Sequence, residues 1–275
     1  MESPDDIVTR HYSIGNLADV ILRGLTAAGK DLDNLSVDDL TAVDEFHIGG
    51  RAATVYAVSR VSLTAHDHVL DVGSGIGGAA RTVAHLTGCR VSGIDLTPEF
   101  VAVSRLLSDL TGLADRTDFQ TASALFLPFA ASTFDAAMTF HVAMNIKDCE
   151  TLYSEIARVL KPNAKLCIYD VMKLNNTPLS FPVPWAMSEG SSHLRTPENV
   201  TELLQMAGFD VLEVDDRSAF ARTVFERQQP DPAGGRAPLG PHLVMGTSAS
   251  EKIRNIKDGV ARGCVAPVQI IAVKT

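Results

Sequence analysis

The stretch at residues 69–81 has residue types and a spacing that suggest ligand binding. An apolar run of strand character ends at Asp71-Val72, glycines follow at positions 73, 75, 77 and 78, and an alanine-rich segment of high helix propensity comes next. Because glycines let the backbone turn tightly, main-chain amides at the start of such a helix can approach a ligand closely. The stretch therefore predicts a strand, a loop and a helix that bind a nucleotide-like molecule. The predicted contacts are Gly73, Ser74, Gly75 and Gly77.

Two carboxylates near this loop bear on the charge of the ligand. The glycine pattern suits a dinucleotide as well as S-adenosylmethionine, but Asp71 precedes the first glycine by two residues, where a carboxylate would face the pyrophosphate of a dinucleotide. A cationic ligand fits better, and S-adenosylmethionine carries a sulfonium and an ammonium group. Asp95 ends the next predicted strand, where an acid can accept hydrogen bonds from both ribose hydroxyls. The two acids therefore favour S-adenosylmethionine.

Three segments, at residues 71–78, 93–97 and 157–162, carry a family resemblance. They resemble the class I S-adenosylmethionine-dependent methyltransferases, in particular small-molecule enzymes such as ubiquinone/menaquinone C-methyltransferases and sarcosine/dimethylglycine and phosphoethanolamine N-methyltransferases. The resemblance covers residues 44–175 well. It implies an α/β fold: a Rossmann-like, mostly parallel seven-stranded sheet with helices on both faces, an N-terminal helical cap and a helical insert before the last strand.

The same resemblance assigns residues to the cofactor site. Relatives usually have an acid after the third strand that accepts from the adenine amino group, whereas this chain has Ser123 there, followed by Ala124. Gly49 and Gly50 match a segment that passes over the methionine end of the cofactor in related N-methyltransferases. The cofactor-binding residues implied are Asp71, Gly73, Ser74, Gly75, Gly77, Asp95, Leu96, Ser123, Ala124, Phe140, His141, Gly49 and Gly50.

The candidates for catalysis lie at the carboxyl end of the predicted fourth strand, residues 134–140, and in the N-terminal segment. His141 is the leading candidate for an acceptor-side base or hydrogen-bonding group, because an ordinary histidine pKa of about 6.5 suits proton uptake near neutrality. A histidine that merely satisfies backbone groups of the cofactor loop is the alternative. His47 and Tyr12 are the other catalytic candidates, and for Tyr12 ordinary helix packing is the alternative.

Three further residues are candidates for binding the methyl acceptor: Arg51, Asn145 and Trp185. Arg51 equally suits a solvated helix face, and Trp185 equally suits a core anchor. Trp185 belongs to a proline-rich, apolar insert at residues 174–195, and long inserts at this edge often cover a substrate pocket. Its phenylalanines, prolines and tryptophan favour an acceptor with a hydrophobic body.

The length of 275 residues fits one structural domain. Residues 1–64 are predicted as the N-terminal helical cap and residues 65–275 as the cofactor-binding core. Inserts at about residues 174–195 and 219–266 are predicted to cover the active site.

Composition excludes several other classes of function. A formal net charge of −9 argues against a nucleic-acid substrate, and no apolar run reaches the roughly 20 residues of a membrane helix. The acidic start lacks an apolar signal segment, so a cytoplasmic protein is expected. The four cysteines lack CxxC spacing, so no metal site is predicted. A monomer or a homodimer fits these features.

The function predicted is therefore in-line methyl transfer from S-adenosylmethionine to a small-molecule acceptor, at a carbon, oxygen or nitrogen nucleophile. Aligning the acceptor and excluding water supplies most of what such a reaction needs, so a general base is optional. A small-amine N-methyltransferase of the sarcosine or phosphobase type is the alternative. A NAD(P)-binding oxidoreductase and a non-catalytic relative are more remote alternatives.

Overall fold

The computed structural model describes residues 9, 12, 15–227, 237–246 and 248–275. The strands are β1 (His68–Val72), β2 (Arg90–Asp95), β3 (Thr117–Thr121), β4 (Phe134–Phe140), β5 (Leu160–Lys173), β6 (Phe209–Asp216) and β7 (Val265–Lys274). They form one sheet in the order β3-β2-β1-β4-β5-β7-β6, in which β7 runs antiparallel to β5 and β6 and the other neighbours are parallel. The predicted Rossmann-like, mostly parallel seven-stranded sheet is confirmed.

Helices cover both faces of this sheet. The helices that the structure describes are α1 (Leu17–Ala27), α2 (Gly50–Ser59), α3 (Gly78–Thr87), α4 (Pro98–Leu110), α5 (Cys149–Val159), α6 (Pro197–Met206), α7 (Ser218–Arg227), α8 (His242–Met245) and α9 (Ala249–Ala261). Buried residues of α2, α3 and α4 share one apolar cluster with the sheet, and those of α5 and α6 share the cluster on the other side. No helix in the described ranges is long and apolar enough to cross a membrane.

Capping residues fix where several of these helices begin. The Asp148 carboxylate accepts from the amide of Thr151 at the start of α5, and the Thr196 hydroxyl accepts from the amide of Asn199 at the start of α6. Such bonds satisfy amides that have no partner within the helix. α4 begins with Pro98, whose missing N–H costs nothing in the first turn. The chain therefore turns from strand to helix at defined residues along the carboxyl edge of the sheet.

The helical N-terminal segment packs against α4. Buried apolar side chains of α1 and α4 share one cluster, which also includes Ile76 from the loop after β1. The Glu99 carboxylate accepts from the amides of Gly15 and Leu17, at 2.9 and 2.8 Å, and so holds the start of α1 on the first turn of α4. Residues 1–8, 10–11 and 13–14 of the predicted cap lie outside the described residues, as do residues 228–236 and 247 of the predicted second insert.

Candidate active site

A cavity of about 620 Å³ lies at the carboxyl ends of β1, β2 and β4. Its walls come from the loops that follow these strands, from residues 44–47 before α2, and from segments at α8 and α9. The fold thereby gathers groups that are far apart in the sequence. The predicted site residues that line the cavity are Tyr12, His47, Asp71, Gly73, Ser74, Gly75, Asp95, Leu96, Ser123, Ala124, Phe140, His141, Asn145 and Trp185.

The glycine loop after β1 forms one wall of the cavity. Gly73 and Gly75 have φ angles of 73° and 55°, in the left-handed region that favours glycine. A Cβ at Gly73 would overlap the side chain of Val142, so this position also needs a residue without a side chain. The Gly75 amide donates to Oδ2 of Asp95 over 2.9 Å, which fixes the loop against the end of β2.

Gly77, in contrast, lies outside the cavity. It is the N-cap of α3, with a φ of 85°. A Cβ there would stand only 2.7 to 2.9 Å from atoms of Arg81, Phe119 and Ser104. This glycine allows α3 to pack closely against its neighbours, and its predicted contact with the cofactor stays a prediction.

Asp71 and Asp95 give one end of the cavity an acidic character. Asp71 is 2% exposed, and its Oδ2 atom has no hydrogen-bond partner among the residues that the structure describes. Burial, together with the nearby carboxylates of Asp95 and Glu45, raises the pKa of Asp71 to about 8. Burial also raises the pKa of Asp95, although backbone amides, including those of Thr97 and Gly75, oppose the shift. A cation bound here would relieve the repulsion between the two acids.

Asp44 and Glu45 add two more buried acids, and sequence reasoning missed both as cavity residues. Asp44 forms a buried ion pair with Arg81, and burial still raises the pKa of Asp44 to about 6. Glu45 accepts hydrogen bonds from the hydroxyls of Thr54 and Thr82. The buried Arg81 needs such an acidic partner, but its burial is visible only in the structure.

His141 sits directly after β4 with its ring packed between aromatic groups. Its φ angle is 58°, and its amide donates to the Tyr169 carbonyl over 2.8 Å. The ring stacks on Tyr169 with 5.6 Å between centroids. Its Nε2 atom is buried without a partner in the described part of the chain. Burial, and secondarily the neighbouring His47, hold the pKa of His141 well below its usual value, so the ring is neutral at neutral pH.

Asp170, on β5, holds the loop that presents His141, and the sequence did not identify it. Its carboxylate accepts from the amides of Val142 and Ala143, at 2.7 and 3.2 Å. Burial raises the pKa of Asp170 to about 7, while these backbone hydrogen bonds oppose the shift. Asp170 therefore orients the backbone that follows β4 without lining the cavity.

His47 lines the cavity, but its Nε2 atom already contacts protein groups. That atom lies 3.0 Å from the Gly50 carbonyl, 3.0 Å from the Thr54 hydroxyl and 3.4 Å from a Glu45 carboxylate oxygen. Because a carbonyl only accepts, we assign the ring proton to Nε2. Burial lowers the pKa of His47 to about 4, so the ring is neutral. Its centroid lies 5.9 Å from that of His141, which places both candidate histidines on the same wall.

Tyr12 and Asn145 meet across the cavity. The Tyr12 hydroxyl donates to Oδ1 of Asn145 over 3.3 Å, although the two residues are 133 positions apart. The ring of Tyr12 lies 5.8 Å from that of Phe100. Burial is the main reason why the pKa of Tyr12 is raised, so the phenol stays protonated and acts as a hydrogen-bond donor.

Gly49, Gly50 and Arg51 lie outside the cavity. A Cβ at Gly49 would overlap the ring of Phe220, so close packing explains this glycine, and the Gly50 carbonyl faces His47. Arg51 forms an ion pair with Asp38, whose side chain is 81% exposed. The side chain of Arg51 itself is 17% exposed. The predicted contacts of these three residues with the cofactor or the acceptor stay predictions.

Trp185 belongs both to the core and to the cavity wall. It is 4% exposed, packs in an apolar cluster, and donates from Nε1 to the Ser192 hydroxyl over 2.9 Å. Trp185 is therefore a core residue that also lines the cavity, and its contact with the acceptor stays a prediction. Met144, Pro184, Val244 and Met245 also give the cavity lining an apolar character, and Met144 shares the apolar cluster of Trp185.

Comparison with known proteins places the chain among methyltransferases. The family model described as a methyltransferase domain matches residues 70–168. The chain is 31% identical over 190 residues to the methyltransferase GfsG of Streptomyces halstedii, which covers 67% of each protein. It is 29% identical over 184 residues to the methyltransferase phqN of Penicillium fellutanum, which covers 64% of this chain. The match spans only 56% of the length of phqN.

A solved structure agrees with the fold. A phosphoethanolamine N-methyltransferase of Haemonchus contortus, in complex with S-adenosyl-L-methionine, superposes with a TM-score of 0.75 at 21% identity. The superposition covers all of this chain and 60% of that protein. At this identity the likeness establishes the common sheet and helices, since one fold hosts many acceptors.

Proposed function

This chain belongs to the class I S-adenosylmethionine-dependent methyltransferases, and on that premise we propose how its cavity is used. The cofactor lies against the glycine loop and the carboxyl ends of β1 and β2, and a small acceptor lies between His141 and the apolar wall at Trp185. When bound, S-adenosylmethionine supplies an electrophilic methyl group on a sulfonium centre. The protein holds the acceptor in line with that group and keeps water out, which lowers the barrier by up to about 7–11 kcal/mol in the best cases.

The observation that carries the proposal is the buried, unpartnered carboxyl oxygen of Asp71. A buried carboxyl group without a hydrogen-bond partner destabilises a protein, so its retention at a cavity points to a ligand that supplies the partner. The adjacent acids Asp95 and Glu45 favour a cationic partner. The ammonium group of the cofactor meets that requirement, and the Asp95 carboxylate has acceptor capacity left for ribose hydroxyls.

Ser74 and Ser123 support the same placement. The Ser74 hydroxyl is buried and has no hydrogen-bond partner within the described ranges. Ser123 lines the cavity where relatives usually have an acid, and its hydroxyl accepts from the Leu125 amide over 3.3 Å. We therefore expect adenine binding through a hydroxyl and nearby amides, with no carboxylate contribution at this position.

On the acceptor side, the chain offers a neutral imidazole, a phenol and an apolar surface. His141 is uncharged, so it can accept a hydrogen bond or a proton from an acceptor, whereas Tyr12 can donate. The apolar wall that includes Trp185 and Met144 fits an acceptor with a hydrophobic body. Whether a carbon, an oxygen or a nitrogen atom is methylated depends on which acceptor binds.

Calorimetry with S-adenosylmethionine and S-adenosylhomocysteine tests the placement. We expect one-to-one binding to the unmodified protein, weaker binding to Asp95→Ala, and unchanged binding to Asp109→Ala, whose carboxylate is exposed on α4. Undetectable binding of S-adenosylhomocysteine at millimolar concentration would exclude the proposed site. An equal loss of ligand affinity in both variants would indicate that the substitutions disturb folding and not a contact with the ligand.

A further inference from the structure

A lysine interrupts the apolar face of α9. The residues of α9 that are buried include Ala249, Lys252, Ile256 and Val260, spaced three or four positions apart on one side of the helix. This spacing is that of a helix face turned toward the core, where apolar residues are expected. Lys252 is nevertheless only 4% exposed. Lysine is almost never buried to this extent unless its charge has a partner, so the position needs an explanation.

The ammonium group of Lys252 has no carboxylate partner within the described residues. Its Nζ atom donates to the carbonyl oxygen of Met245, the last residue of α8, over 3.3 Å, and no ion pair involves it. An ammonium group has three N–H donors, so this contact leaves two of them available. Burial lowers the pKa of Lys252, as expected when a charge is removed from water without compensation.

Lys252 also lines the active-site cavity, beside Met245 of its apolar lining. The acids of that cavity engage other groups or lie on other elements: Asp44 pairs with Arg81, Glu45 with two threonines, and Asp95 with backbone amides. Among the described residues, none of these acids forms an ion pair with Lys252. The remaining acids on its wall are Asp71, Asp148 and Glu150.

We infer that Lys252 binds an anionic group of the methyl acceptor, a carboxylate or a phosphate, while the hydrophobic body of the same acceptor lies on the wall formed by Trp185 and its neighbours. The subsite rests on the proposed function and adds the class of acceptor. An anion would satisfy the two available donors of Nζ and restore the charge that burial disfavours. An acceptor of the same shape without the anion would leave the ammonium group uncompensated.

Simple aromatic probes test this subsite without knowledge of the acceptor. Benzoate, phenyl phosphate and benzyl alcohol share a ring and differ in charge, and each is titrated into the protein with and without saturating S-adenosylhomocysteine. We expect at least one anion to bind about tenfold or more tightly than benzyl alcohol, as a hydrogen bond to a charged group implies. The anion that binds more tightly distinguishes a carboxylate acceptor from a phosphate acceptor.

Three variants separate charge from packing. Lys252→Met keeps the apolar stem and suits the helix face, and it should remove the preference for anions while leaving benzyl alcohol affinity unchanged. Lys252→Arg keeps the charge and should retain the preference. Lys147→Met is the matched control, because Lys147 also lines the cavity but is exposed. Binding of S-adenosylhomocysteine by each variant confirms that it is folded.

The outcomes distinguish the two proposals. If S-adenosylhomocysteine fails to bind, the proposed function fails, and the anion preference is still measured in the titration without it. If the cofactor product binds but all three probes bind equally, the Lys252 subsite is overturned and the proposed function stands. The subsite is also overturned if Lys147→Met, and not Lys252→Met, removes the preference.

Discussion

The state of ionisation of Asp71 should make cofactor affinity depend on pH. In the ligand-free protein the pKa of Asp71 is raised to about 8, mainly by burial, so the group is largely protonated at pH 7. A bound cation favours the ionised form, and the proton must leave when the ligand binds. Affinity for S-adenosylhomocysteine should therefore rise with pH until the group is ionised before binding.

The expected size of this effect follows from the pKa. Ionising a group of pKa 8 costs about 2.7 kcal/mol at pH 6, about 1.4 kcal/mol at pH 7 and about 0.4 kcal/mol at pH 8. Affinity should thus increase by up to about 50-fold between pH 6 and pH 8. The acids Asp95 and Glu45, whose pKa values are also raised by burial, act in the same direction.

Calorimetry at several pH values, on the unmodified protein and on Asp71→Asn, measures this dependence. The variant keeps the size of the side chain and cannot ionise, so its affinity should be lower at pH 8 and should rise less between pH 6 and pH 8 than that of the unmodified protein. Any titration of the ligand itself is common to both proteins and cancels in the ratio of their dissociation constants. A ratio that does not change with pH would refute the idea that Asp71 faces the cationic part of the cofactor.

Other substitutions test separate parts of the site. His141→Ala should lower turnover about 100-fold or more if His141 removes a proton, with S-adenosylhomocysteine affinity within about twofold in calorimetry. Gly73→Ala should lower the free energy of unfolding by about 2 kcal/mol or more in urea denaturation, because of its positive φ and the overlap with Val142; a change below 0.5 kcal/mol would contradict this. Arg51→Ala should leave cofactor binding within about twofold of the unmodified protein, because Arg51 pairs with Asp38 and does not line the cavity; a large loss would place Arg51 in the site.

The parts of the site that the sequence predicted are local in the chain. Asp71, Gly73 and Gly75 lie within five residues of one another, and the strand, loop and helix that contain them are formed by neighbouring residues. Asp95 follows at the end of the next parallel strand, whose position is set by the fold. Parallel strands bring their carboxyl ends to one edge, so these residues share a site in any protein that folds in this way.

The residues that the sequence did not predict depend on contacts between distant segments. Lys252 sits on a helix, and only tertiary packing shows that it lines the cavity. Asp170 accepts hydrogen bonds from backbone amides, and because nearly every residue has such an amide, the residue types do not indicate this contact. For Lys252 a signal was present, namely a charge on the apolar face of an amphipathic helix. Such a position indicates buried charge but not the partner of that charge.

The distribution of charge in the cavity connects the cofactor and acceptor proposals. The unpartnered acid Asp71 and the uncompensated Lys252 line the same cavity without forming an ion pair. Burial raises the pKa of Asp71 and lowers the pKa of Lys252, so burial opposes ionisation of both groups, and an oppositely charged ligand group beside each would favour its charged form. A cationic cofactor and an anionic acceptor would each neutralise one of them. Binding of either should then leave the affinity for the other unchanged or increased, whereas competition between S-adenosylhomocysteine and benzoate would mean that both occupy the Asp71 end.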